Sequence, residues 1–109
     1  MTTTIAANGA GTGPGLAVSG NINSAENFSL TGNTEQNQYS AAISNSSGVN
    51  TLSGNITLVS PSGNIRLGSG GGELIFPGTI SQTGTNRTLL LLAYQGAALT
   101  VNNAIANNG

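Results

Sequence analysis

The chain offers few side chains for acid–base or metal chemistry. Among its 109 residues five carry charge, and they are Glu26, Glu35, Glu73, Arg66 and Arg87; there is no Asp, Lys, His, Cys or Trp. Paired carboxylates of the kind that cleave glycosides would have to come from the three glutamates. Two of these glutamates fall in predicted loop or insertion segments, which favours solvated surface glutamates over an active site. We therefore predict no catalytic residues and no enzymatic activity.

Other kinds of site lack the residue types they need. A serine nucleophile would have no histidine base, a zinc site would have no Cys or His ligands, and solenoid calcium loops need regularly spaced Asp. The stretch GAGTGPG at 9–15 has spaced glycines but neither the Lys nor the following helix of a nucleotide-binding loop. A net charge of −1 leaves no basic patch for phosphates. We expect no metal, no cofactor and no nucleic-acid partner.

The composition indicates short strands joined by turns. Charged residues make up 5% of the chain, against about 25% in ordinary soluble domains, and Gly, Asn, Ser and Thr are abundant. Disorder is the alternative for such a composition, but 37% of the residues are hydrophobic and occur in short, regularly spaced clusters. Period-two alternation predicts strands at 16–20, 27–32, 39–44, 50–54, 55–60, 64–68, 73–78, 79–82, 87–94 and 98–106.

The spacing of these strands favours a solenoid over a hairpin-based barrel or sandwich. Asn-Gly, a common hairpin turn, occurs only at Asn8-Gly9 and Asn108-Gly109, near the chain ends. The distance from SGNIT at 53 to FPGTIS at 76 is close to one solenoid coil. We predict an all-β fold, a right-handed parallel β-helix with short strands and Gly/Asn corners. Residues 1–15 are predicted as a Gly/Thr-rich, extended N-terminal segment, and residues 16–109 as a β-solenoid of about four coils.

The phrase Ser-Gly-Asn-Ile occurs three times, beginning at Ser19, Ser53 and Ser62. Gly permits positive φ at a bend, Asn tolerates the left-handed region and bonds freed backbone groups, and Ile returns an apolar side chain to the interior. The second and third copies are nine residues apart, too close for successive coils. We predict that the phrase marks corners, and that the wider gap between the first two copies contains an insertion at NTEQNQ (33–38).

Residues 29–84 resemble the autotransporter-associated β-strand repeat of large secreted bacterial surface proteins. The resemblance lies in AISNSSGVNTLSGNITL at 42–58 and GELIFPGTISQTG at 72–84, and it implies a right-handed parallel β-helix in a passenger or adhesin-like region. Four consecutive leucines at 89–92 depart from the alternation of Leu, Thr and Ser that is usual in the family. Such a run predicts a strand covered on both faces by an adjacent segment or a partner chain.

Together these features predict a structural, non-catalytic segment at the cell surface or outside the cell, acting as an adhesin or passenger stalk or as a self-assembling fibre subunit. The alternatives are a glycan-binding module and a fragment of a polysaccharide-degrading β-helix enzyme. The expected partners are further copies of the chain, end to end or side by side, neighbouring repeats of a longer chain, or host-surface and matrix glycans. The longest apolar run, 89–93, is too short to span a bilayer, so no transmembrane segment is expected.

Overall fold

The structure, a computed structural model, describes residues 2–6, 16–31, 42–59, 64–83 and 88–106. These residues form thirteen strands and no helix, which confirms the predicted all-β class. No helix in this part of the chain is therefore long and apolar enough to cross a membrane. The strands are β1 Thr2–Ala6, β2 Leu16–Ser19, β3 Asn23–Ser24, β4 Asn27–Thr31, β5 Ile43–Ser47, β6 Val49–Leu52, β7 Ile56–Leu58, β8 Asn64–Ser69, β9 Glu73–Phe76, β10 Ile80–Gln82, β11 Thr88–Ala93, β12 Ala98–Val101 and β13 Ile105–Ala106.

The strands belong to three sheets, and each strand from β1 to β10 pairs with the strand three places further along the chain. The first sheet has the order β1-β4-β7-β10-β13, the second β2-β5-β8-β11 and the third β3-β6-β9-β12. All pairings are parallel, as the sequence predicts. Paired residues lie 24 to 28 positions apart, so three successive strands, here called a rung, recur with that period.

In-register pairing stacks equivalent residues of successive rungs into columns. In the first sheet Phe28, Ile56 and Ile80 form one column, and all three are buried. Leu30 and Leu58 form the next inward column, so Ile56 and Leu58 share one face, as their alternation predicts. Each fully buried aliphatic or aromatic side chain of this kind contributes about 1.5–3 kcal/mol through removal from water. The core is therefore a set of narrow apolar columns between sheets.

The predicted strand positions agree with the structure except at four places. The strand predicted at 39–44 overlaps β5 at two residues only, and residues 39–41 lie outside the described residues. The strand β1 lies within the 1–15 segment and pairs along its whole length with β4. The two-residue strand β3 lies where no strand is predicted, because its pairing with β6 depends on a neighbouring rung. The predicted strand at 98–106 is wrong as a single element: β12 and β13 belong to different sheets, with a bend at 102–104 between them. The predicted insertion at 33–38 lies outside the described residues.

The four leucines at 89–92 lie in β11, the last strand of the second sheet. The strand beside it, β8, is buried at every position from Ile65 to Ser69, which is how a strand covered on both faces is expected to look. In β11 itself Leu89 packs on the core, whereas Leu91 is 40% exposed although its neighbour Leu67 is fully buried. Leu91 is exposed because no further strand lies beside β11 among the described residues.

The described Ser-Gly-Asn-Ile copies, beginning at Ser19 and Ser53, lie at two different bends. The first follows β2 and leads from the second sheet to the third, and the second precedes β7 and leads from the third sheet to the first. The third leads into β8, with Ser62 and Gly63 outside the described residues. The copies beginning at Ser53 and Ser62 therefore belong to successive strands in one turn of the chain. FPGTIS does follow SGNIT by one period, because Ile56 pairs with Ile80.

Candidate functional site

The residues singled out for acid–base chemistry do not assemble into a cluster in the part of the chain that the structure describes. No group of three or more His, Cys, Asp or Glu side chains comes together there. Glu26 lies at a bend before β4, Glu73 begins β9, and Arg66 is buried in β8. Glu35 and Arg87 lie outside the described residues.

The two described glutamates each link neighbouring rungs. The Thr3 hydroxyl donates a hydrogen bond to Glu26 Oε1 over 2.6 Å, and the Thr100 hydroxyl donates one to Glu73 Oε2 over 2.7 Å. In each pair the threonine belongs to an edge strand, β1 or β12, and the glutamate to the adjacent rung. Charge-assisted hydrogen bonds of this kind are stronger than those between neutral groups. Both carboxylates are half-buried and have a structural partner.

A buried amide network lies at the bend between the second and third sheets, which we call the positive-φ corner because Gly20, Gly48, Gly72 and Gly96 have positive φ there. Asn45 and Asn50 are 1% and 0% exposed. The Asn45 side-chain nitrogen donates to the Gly71 carbonyl over 2.7 Å. The Asn50 side-chain nitrogen donates to Asn45 Oδ1 and, over 2.8 Å, to the Ser47 carbonyl.

The same network joins this rung to the preceding one. Asn50 Oδ1 accepts a hydrogen bond from the Ile22 backbone N–H over 2.6 Å, and Asn21 Oδ1 accepts one from the Val49 N–H over 2.8 Å. Asn21 itself has a φ of 63°, in the left-handed region that Asn tolerates. Buried polar groups are costly when unpaired, and here the amides bond the backbone groups that the bend removes from the sheet ladder.

The bend between the third and first sheets, here called the tight corner, brings backbone segments very close together. A Cβ on Gly54 would lie 2.1 Å from the Glu26 carbonyl oxygen, and a Cβ on Gly78 would lie 2.4 Å from the Gly54 carbonyl oxygen. Only glycine fits where successive bends stack so closely. Beside these glycines Asn27 Oδ1 accepts from the Asn55 N–H over 2.8 Å, and Asn55 Oδ1 accepts from the Thr79 N–H over 3.2 Å. This ladder agrees with the predicted corner role of Gly and Asn.

Residue type alone does not distinguish Asn45 and Asn50 from the exposed asparagines of the chain. A signal is nevertheless present in ISNSSGVNTL at 43–52, because Asn45 has the same period-two phase as Ile43 and Asn50 the same phase as Leu52. Both apolar neighbours are buried, so both amides point inward. An asparagine in phase with the buried residues of its own strand is therefore the pattern that identifies this network.

Several of the exposed apolar side chains lie on the two outermost rungs. We call β1, β2 and β3 the N-terminal edge, and β11, β12 and β13 the C-terminal edge. Ile56 and Ile80 are 1% and 0% exposed, but Ile105 in the same column is 47% exposed. At the N-terminal edge Ile22, in the column of the buried Asn50, is 43% exposed. Each edge therefore presents apolar side chains together with the outer backbone groups of its edge strands.

Comparison with protein families, with curated protein sequences and with solved structures gives no match for this chain. The site must therefore be interpreted from its own geometry. The positive-φ corner and the tight corner bond rung to rung, and the glutamates brace the same stacking. The two edges of the described sheets are suited to adding strands.

Proposed function

We propose that this chain is a structural, non-catalytic β-solenoid segment, a right-handed parallel β-helix that serves as a stalk or fibre subunit at the cell surface or outside the cell. The observation that carries the proposal is the order of the strands, in which every third strand pairs in parallel to form three sheets. A chain that passes through the same three sheets in the same order produces this pattern when it coils. Parallel crossovers are right-handed in nearly all known cases, which supports the hand.

The interactions of the chain suit a structural role. Its polar groups are used to join rungs: Asn50 bonds the Ile22 backbone, and Glu26 and Glu73 each accept a hydrogen bond from a threonine of the adjacent rung. The apolar columns continue through successive rungs in the same way. In such a one-dimensional architecture stability is approximately the sum of rung and interface contributions. Further rungs can therefore be added without changing the existing ones.

The extracellular setting and the stalk or adhesin role rest on the resemblance of residues 29–84 to the autotransporter-associated repeat. In that setting neighbouring repeats or further copies of the chain would cover the two edges. Glycans of the host surface or matrix would contact the exposed bends. The near absence of charge, 5% of residues, is compatible with close packing of copies because little electrostatic repulsion opposes association.

The proposed coil is tested by adding one rung. A second copy of residues 49–72 is inserted after Gly72, since Val49 pairs with Glu73 and the copy therefore preserves the register. We expect the molecule to grow by about 5 Å along the direction in which the strands stack, which is the spacing of neighbouring strands. Small-angle X-ray scattering on monomeric fractions should detect this growth as a small rise in the radius of gyration. The melting temperature should stay the same or rise because one rung and one interface are added.

The matched control carries the same inserted residues in shuffled order, which keeps length and composition but removes the columns. We expect this control to melt at a lower temperature and to expand by more than one strand spacing. If the in-register copy behaves like the shuffled one, the chain does not coil as proposed and the structural role loses its basis.

A further inference from the structure

We propose that a second copy of the chain stacks on the C-terminal edge advanced by one sheet, with its β1 beside β11, its β2 beside β12 and its β3 beside β13. This inference rests on the proposed coil and specifies the self-association that the proposed function leaves general. It names which sheet of one copy continues which sheet of the next, and it is tested separately from the coil itself.

The number of strands leads to this arrangement. The thirteen strands of the described residues fill the three sheets in strict rotation and end with β13 in the first sheet. The next place in the coil is therefore in the second sheet, beside β11. In a following copy β1 is the first of the described strands, so continuous stacking of the described strands places β1 there and moves every later strand on by one sheet. Direct superposition would instead place β1 on β13 and leave the second and third sheets without a strand at that level.

The apolar side chains also fall into register. LAVSGNI at 16–22 and LTVNNAI at 99–105 have apolar residues at the same first, third and seventh positions. In the advanced arrangement Leu16 meets Leu99, Val18 meets Val101 and Ile22 meets Ile105. Leu16, Leu99 and Val101 pack against the core cluster and Val18 belongs to it, so these are inward positions.

Both isoleucines are exposed on their edges, Ile22 by 43% and Ile105 by 47%. The seven-residue spacing that they share carries each chain around one bend. Stacking would continue the columns of the interior and remove both side chains from water, which favours association.

Neither edge carries a charge that would oppose stacking. The first charged residue is Glu26 and the last is Arg87, so residues 1–25 and 88–109 contain none. Sheet edges that must stay free are usually protected by charged residues, especially Lys. Because the two edges are different surfaces, the contact is head to tail and builds a filament rather than a closed dimer.

The arrangement is tested by disulfide trapping, since the chain has no cysteine of its own. An Ala17→Cys chain is mixed with a Thr100→Cys chain that carries a mass tag, and the mixture is oxidised gently. In the advanced register these positions are opposite each other on adjacent strands, about 4.8 Å apart, which a disulfide can span. We expect the mixed dimer as the main new band on a non-reducing gel, lost on reduction.

The matched control mixes Thr4→Cys with Ala106→Cys. Thr4 and Ala106 belong to one column of the first sheet within one chain, so this pair would be trapped if copies stacked without the advance, with β1 on β13. A dimer in the control mixture, or none in either mixture, would overturn the inference. Neither result bears on the coil within one chain, which the added-rung experiment tests on monomeric protein.

Discussion

Replacement of Gly54 by alanine should destabilise the fold severely, although it adds a single methyl group. The new Cβ would lie 2.1 Å from the Glu26 carbonyl oxygen and 2.7 Å from the Ala25 carbonyl oxygen, whereas ordinary contact begins near 3.4 Å. Both obstructing atoms belong to the backbone of the adjacent rung, so no side-chain rotation relieves the overlap. The two bends would have to separate by more than an ångström at the tight corner.

The size of the effect follows from the hydrogen bonds that such a separation breaks. Three of them flank Gly54: the Ser53 N–H donates to the Ser24 carbonyl over 2.8 Å, the Asn55 N–H to Asn27 Oδ1 over 2.8 Å, and the Phe28 N–H to the Asn55 carbonyl over 2.9 Å. At a net value of about 1 kcal/mol each, their loss lowers the free energy of unfolding by about 3 kcal/mol. For a domain of this size that corresponds to a fall of roughly 10–20 °C in melting temperature.

Two other glycines provide graded controls. Gly70→Ala places its Cβ 3.6 Å from the nearest atom, an ordinary contact, and we expect a change within about 0.5 kcal/mol. Gly96→Ala meets nothing within 4 Å but has a φ of +82°, so strain alone should cost about 1–2 kcal/mol. Urea unfolding followed by circular dichroism measures all three. Equal stability of the Gly54→Ala and Gly70→Ala chains would refute the stacked tight corner.

Two further substitutions examine the amide network and the open edges. Asn50→Leu should lower the free energy of unfolding by on the order of 3 kcal/mol, since it leaves buried partners such as Asn45 Oδ1 unpaired. The control Asn55→Ala, at an exposed position, should lower it by at most about 1 kcal/mol. An equal loss in the two variants, measured by urea unfolding, would argue against a buried network. We expect sedimentation velocity of the unmodified chain to show concentration-dependent association, and Ile105→Glu to abolish it. Val49→Glu, at a similarly exposed residue of the inner strand β6, should retain the association. Association lost in both variants would mean that the edges are not the contact.

Sequence reasoning predicts where the strands and bends lie better than it predicts which strands pair. The alternation at 55–60 places Ile56 and Leu58 on one face, and both are buried. Gly54 and Asn55 are predicted at a bend and lie at one. These predictions succeed because turn formation and period-two alternation depend on a residue and its immediate neighbours.

The buried amide network is predicted less well. Asn45 and Asn50 are inward by phase, yet an inward asparagine is acceptable only if the backbone groups of another rung are in reach. The hydrogen-bond partners within this network are 5, 26 and 28 residues apart in sequence. Whether they come close together therefore depends on the register in which the rungs pair. The short strand β3 escapes prediction for the same reason, since its two residues are extended by pairing with β6.

By itself, the sequence determined that the chain has no histidine, cysteine, aspartate or lysine for chemistry, that it forms short strands, and that Gly and Asn occupy its bends. These are properties of residue type and local spacing, and they hold before any partner strand is in place. Only the tertiary structure decided that β12 and β13 separate into different sheets, that Gly54 and Gly78 stack against backbone, and that Ile22 and Ile105 are left at opposite edges. Each of these depends on which rung lies next to which, and backbone pairing between residues 24 or more positions apart sets that order.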